Sequence, residues 1–164
     1  MSEIESETRA AWAAYLATRK SILAGEIPWV TLADHFTDDA VYIDPAWGRV
    51  EGIDAVREFL TDSMGGLDDW TFPEIFTMFD GRRVVTMWEQ VIPAVEGEPR
   101  RQPGMSLLYY GADGKFCYEM DMLNMTHVIE DIGAAGWTPG DGFSFPPANP
   151  DRDHSLGPVA HYLD

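Results

Sequence analysis

The sequence predicts a single α+β domain followed by an extended tail. Three observations carry that expectation. Helical periodicity dominates residues 5–64, apart from one short β-like run. Residues 70–123 alternate like an antiparallel meander with turn signals between the runs, and segregated elements of this kind place helices on one face of an antiparallel sheet. After Gly133 the composition shifts, with five of the eleven prolines and five of the fifteen glycines in the last 32 residues. The expected division is therefore a domain over 1–132 and an extended Pro/Gly-rich tail over 133–164.

Each element has its own signal. Over 5–24, Trp12, Tyr15, Leu16, Arg19, Ile22 and Leu23 recur at helical spacing, with Ser2 and Glu5 set as a capping box and Gly25 as terminator. Pro28 suits the first turn of a short second helix whose buried stripe is Trp29, Leu32 and Phe36. Ala40–Asp44 is β-branched and aromatic and stops at Pro45, so it reads as a strand, followed by a loop at 46–49. Ile53, Val56, Phe59 and Leu60 mark a third helix closed by Gly65-Gly66. Strands are expected near 70–79, 83–92, 104–110 and 115–123, with hairpin turns at Asp80-Gly81 and Ala112-Asp113-Gly114. Three prolines make 93–103 a loop, and a few helical residues follow near 126–134. Trp137, Phe143 and Phe145 imply that the tail packs on something, because free tails rarely carry large aromatics.

Composition narrows the function. The chain has 164 residues, is 45% hydrophobic and 12% aromatic, and carries a net charge of −17. That supports a real core and disfavours nucleic acid and anionic membrane as partners. The one cysteine, Cys117, excludes an intramolecular disulfide, and the first residues lack a basic and apolar leader, which together point to the cytoplasm. No zinc spacing, phosphate loop or nucleophile elbow is present, so neither a metal nor a cofactor is expected.

What remains is carboxylates and tyrosines on strands, sorted by parity. Tyr42 and Asp44 share a face, as do Glu119, Asp121 and Leu123. Val85, Met87, Glu89 and Val91 share another, opposite Thr86, Trp88 and Gln90. An acid among apolar same-face neighbours is either solvent-facing or inside a cavity, and parity does not choose. Each residue also has a plainer reading. Asp44 is a turn carboxylate before Pro45, Tyr42, Tyr15 and Trp12 are core aromatics, and Asp121 and Glu89 are solvated. His35 closes a helix, and His127 lies after the last strand.

The stretch His35–Gly52, HFTDDAVYIDPAWGRVEG, followed by DAVREFL, resembles the SnoaL-like branch of the NTF2-like superfamily. The resemblance implies a cone: a strongly curved antiparallel sheet packed against three N-terminal helices. It also implies a hydrophobic pocket and commonly a homodimer through the outer sheet face, where Trp88 and Gln90 would lie. The superfamily includes polyketide cyclases, ketosteroid isomerases, epoxide hydrolases and non-catalytic binders, so fold alone assigns no reaction. By resemblance to ketosteroid isomerases, Asp44 matches the general base, while Thr18 and Ser106 stand where the oxyanion-hole tyrosine and second aspartate would be. By resemblance to limonene-type epoxide hydrolases, Tyr42 and Asp44 match the strand pair, and Glu89, Met87 and Asp121 match an Asp-Arg-Asp triad without its arginine. SnoaL-type cyclases use an Asp as acid and base.

The resulting expectation is a cofactor-independent acid–base enzyme acting on a small apolar cyclic molecule such as a polyketide, terpenoid or steroid-like compound. Asp44, Asp121, Glu89 and Tyr42 are the expected catalytic residues. Tyr15, Trp12, His35, Trp47, Met87, Phe59, Leu123 and His127 are the expected substrate contacts. A limonene-type epoxide hydrolase and a non-catalytic small-molecule-binding domain are the alternatives.

Overall fold

In the computed structural model, which describes residues 2–163, a six-stranded sheet curls around three helical segments. Helix α1 (Glu3–Leu23) starts where Ser2 Oγ accepts the Glu5 backbone N–H at 3.2 Å. The expected capping box is half formed, because the Glu5 carboxylate turns instead to Arg9 at 2.7 Å. Thr8, Ala11, Trp12, Tyr15 and Ile22 form the buried stripe of α1. A 3-10 helix (Trp29–His35) follows Pro28, and α2 (Ile53–Met64) buries Val56, Phe59 and Leu60.

The strands are β1 (Phe36–Asp44), β2 (Gly48–Glu51), β3 (Glu74–Asp80), β4 (Arg83–Ile92), β5 (Arg100–Tyr110) and β6 (Phe116–Leu123). Their order is β2-β1-β6-β5-β4-β3. Neighbours are antiparallel except β1 and β6, so the sheet is mixed rather than wholly antiparallel. The expected loop after Pro45 contains β2, because Gly48, at φ 83°, turns the chain back along β1. The expected loop at 93–103 ends earlier, since β5 starts at Arg100. Pro103 is tolerated because β6 ends at Leu123, opposite Gly104, leaving β5 paired there on one side only. Trp70–Phe72 precede β3 and touch β4 through a single bridge, Thr71 to Val91.

The main core lies between the concave sheet face and the helices. Phe36 and Phe116 have no exposed surface, and side chains of this size contribute about 2–3 kcal/mol each when fully buried. Helix α3 (Met125–Ala135) packs against β4 and β5 and stops at Gly136, which takes the left-handed conformation at φ 64°. The tail then runs back over the cone. Trp137 donates from Nε1 to Asp69, Gly140 N–H bonds Gly66 O at 2.9 Å, and Arg49 N–H bonds Asp151 O at 2.9 Å. The last segment, a 3-10 helix (Gly157–Tyr162), buries Val159 against Val41, Ile43, Cys117 and Tyr118 on the outer face. No helix among the described residues is long and apolar enough to cross a membrane.

Candidate active site

The concave face and the helices enclose a cavity of about 710 Å³. This lies in the range of small-molecule sites, roughly 300–1,000 Å³. Its walls are mostly aromatic and aliphatic, and one group of polar side chains gathers at β6. Inward parity puts Glu119, Asp121 and Leu123 there, with Ser106 opposite Asp121 on β5.

Asp121 is held from both sides. Tyr42 OH donates to its Oδ2 at 2.7 Å, and Ser106 Oγ–H donates to its Oδ1 at 2.5 Å. Ser106 in turn accepts Trp88 Nε1–H at 2.9 Å, which fixes the hydroxyl's direction. Burial pushes the Asp121 carboxyl up to about 6, and the nearby Asp44 charge adds to the rise, while its two donors oppose it. Glu119, 3% exposed, accepts only longer bonds from Tyr15 OH, at 3.1 and 3.3 Å. Burial and the Asp121 charge raise it well above the carboxylate range. Asp121 is the less buried of the two and has the shorter hydrogen bonds, so the pair favours the charge on Asp121 over Glu119. Burial and the neighbouring acids also raise Tyr15 and Tyr42, which therefore stay protonated donors.

Asp44 closes a turn and also lines the cavity. Its Oδ1 accepts from Ala46 N–H at 2.7 Å and Trp47 N–H at 2.8 Å, closing the turn after β1, while its carboxyl lines the cavity. Burial raises it, and the two backbone donors oppose the rise. Tyr15, Tyr42, Trp47, Phe59 and Leu123 also line the cavity.

Other expected residues stand elsewhere. Glu89 and Met87 point to the outer face, and Glu89 pairs with Arg101 at 2.8 Å. The face assignment on β4 is thus reversed: Trp88 and Gln90 turn inward and line the cavity, although they were expected outside. Both faces of β4 are apolar enough to be the inner one, so alternation could not decide. With Glu89 and Met87 outside, the epoxide-hydrolase triad is not assembled. Trp12 stacks on Tyr15 at 5.0 Å within the core, away from the cavity. His35 is half-buried beside Thr18, with Nε2 to Oγ1 at 2.7 Å, and burial lowers its pKa. His127 is exposed on the first turn of α3, and Val128 faces the cavity instead.

Reasoning from the sequence left out Glu119, Ser106, Trp88, Gln90 and Arg19 as site residues. Glu119 was within reach, since it has the parity of Asp121. Gly104 was the missed signal for Trp88: a Cβ there would lie 2.5 Å from the indole, so that strand position has to be glycine for the ring to lie inward. Tail residues Phe143, Phe145 and Pro146 also line the cavity at its mouth.

Comparison with known proteins agrees with the fold. The family model of the SnoaL-like domain matches residues 25–119. A candidate SnoaL-like polyketide cyclase from Jannaschia sp. CCS1 superposes with a TM-score of 0.61 at 18% identity, over 82% of this chain and 96% of that one. A candidate polyketide cyclase from Xanthomonas campestris pv. campestris gives 0.60 at 17% identity, over 79% and 99%. A steroid delta-isomerase from Pseudomonas aeruginosa gives 0.54 at 21% identity, over 77% and 88%. At such identities the likeness is one of fold. No curated protein matches the sequence.

Proposed function

The chain belongs to the SnoaL-like domain family, with the NTF2-type cone, and from that premise we propose that it is an acid–base enzyme of the cyclase or isomerase type. The observation that carries this reading is Asp121, fixed by Tyr42 and Ser106 on the cavity wall beside the buried Glu119. A base in an apolar cavity needs a defined direction and a pKa near the working pH, and Asp121 has both supports. Asp121 takes a proton from carbon next to a carbonyl. The Asp121 carboxylic acid then returns that proton to the oxygen or carbon where charge has accumulated, which regenerates the carboxylate. The substrate is small, cyclic and largely apolar, as the aromatic walls suggest. Asp44 faces the same space and serves to hold the substrate or its bound water. A domain that only bound its ligand would gain nothing from two coupled buried acids, whose desolvation costs stability.

The test is carbon-acid exchange. The protein is incubated in deuterium oxide with a panel of cyclic 1,3-diketones and aryl ketones, and label uptake is followed by NMR. Wild type is expected to exchange the proton flanked by the carbonyls, and Asp121→Asn to lose about 10²–10⁴-fold in rate. Asp121→Asn exchanging at the wild-type rate would refute the reading.

We further propose a homodimer through the outer sheet face. With Trp88 and Gln90 inside, that face is carried by Phe76, Met87, Met105 and Met122, which register places in one row across four strands. Phe76, Met105 and Met122 are exposed in the single chain. Light scattering should give twice the chain mass for wild type and the chain mass for Met105→Lys. A wild-type monomer contradicts it.

A further inference from the structure

Three polar groups on the cavity wall have no partner among the described residues: Gln90 Nε2, Trp70 Nε1 and the Nε of Arg19, whose Nη2 already donates to Phe72 O. Gln90 is 6% exposed, and its Nε2 is buried and meets no acceptor among the described residues. Trp70 is likewise 6% exposed, with Nε1 buried and unpartnered. Both residues line the cavity. Leaving such a donor unmade is costly, and native proteins rarely do so without a reason.

Gln90 and Trp70 belong to one place. Thr71 pairs with Val91, which puts Trp70 and Phe72 alongside Ile92 and Gln90 on the inward face. Arg19 donates to Phe72 O at 3.0 Å and so anchors this segment to α1. Along β4 this place is offset from the acids, and the charge of Arg19 also acts on Glu119 and Asp121. The row that holds Asp121 runs through Ser106 to Thr86, and Gln90 lies four residues further along β4. At 3.3 Å per residue that is roughly 13 Å along the strand. No bond links Gln90 or Trp70 to the Asp121 network among the described residues.

We propose that Gln90 and Trp70 form a second polar station, which receives a carbonyl or phenolic oxygen at the end of the substrate away from the reacting carbon. The inference rests on the acid–base reading only for which end of the substrate reacts. An amide turns about its last bond to offer N–H or carbonyl, so Gln90 accepts a ketone, a phenol or a phenolate oxygen. The indole N–H of Trp70 serves an oxygen acceptor only. A molecule that reaches both stations has more than one ring and oxygen at both ends. An oxygen-free hydrocarbon fills the walls but leaves Gln90 and Trp70 unpaired, so the station discriminates against it.

The experiment compares alizarin, which carries ring carbonyls and phenols, with anthracene, which has the same rings and no oxygen. Affinity is measured by equilibrium dialysis for wild type, Gln90→Leu, Trp70→Phe and Asp121→Asn. Gln90→Leu and Trp70→Phe are each expected to weaken alizarin about tenfold and to leave anthracene unchanged. Gln90→Leu is also expected to raise the Tm of the free protein, because a buried unpaired amide has been removed. Equal weakening of both probes, or no weakening of alizarin, overturns the proposal. So does a fall in Tm, which would make Gln90 a structural residue. Asp121→Asn separates the two readings. Deuterium exchange that survives in Asp121→Asn refutes the acid–base role while a selective Gln90→Leu effect still upholds the station.

Discussion

Asp121 shows how a single carboxyl is set between two opposing effects. Burial favours its neutral form, and Tyr42 and Ser106 favour its charged form. The folded pKa of about 6 lies above the ordinary aspartate value, which is about 3.9 in an unfolded chain. The fold therefore favours the proton. Asp121's contribution to stability is fully present below about pH 4 and is lost as pH rises through about 6. Glu119 acts in the same direction, because burial also raises its pKa. Asp121→Asn should then raise Tm relative to wild type near pH 8 and give no gain near pH 4, as thermal melts across that range will show. A variant less stable than wild type at both pH values would mean that the hydrogen bonds to Asp121 outweigh its desolvation.

At the scale of elements, glycines mark where the tail is seated. A Cβ on Gly66 would meet Gly140 O at 2.7 Å, and one on Gly48 would meet Asp151 O at 2.6 Å. Gly65-Gly66 was read only as the end of a helix, and Gly48 as part of a loop. Each also leaves room for the backbone of a distant segment to pass. The tail's aromatics were legible in the sequence as a sign of packing, but its destination was not, since no local pattern encodes a contact some 75–100 residues away. Gly66→Val should unseat the strap between Trp137 and Asp151. Limited proteolysis is expected to cut that stretch at least tenfold faster than in wild type while residues 3–135 stay intact. Cleavage at the wild-type rate would show that Trp137 and Val159 hold the strap without the glycine seat.

For the whole molecule, element order, the helical stripe of α1 and the hairpin turns were legible because each rests on short-range periodicity or turn chemistry. The cavity was legible only in part. Tyr42, Asp44 and Asp121 were found by parity and resemblance, while Glu89 was placed inside and Gln90 outside because both faces of β4 carry apolar side chains. Which face turns inward is decided by the curl of the sheet, which depends on all six strands together. The acids thus acquire their character from the assembled cone and not from their neighbours in sequence. The direct test is a carbon-13 NMR titration of the Asp121 carboxyl, assigned with Asp121→Asn, in wild type and in Tyr42→Phe. The account predicts a midpoint near 6 in wild type, moving higher in Tyr42→Phe as a donor to the charged form is lost. A wild-type midpoint at the ordinary aspartate value of about 3.9, unmoved in Tyr42→Phe, would contradict it.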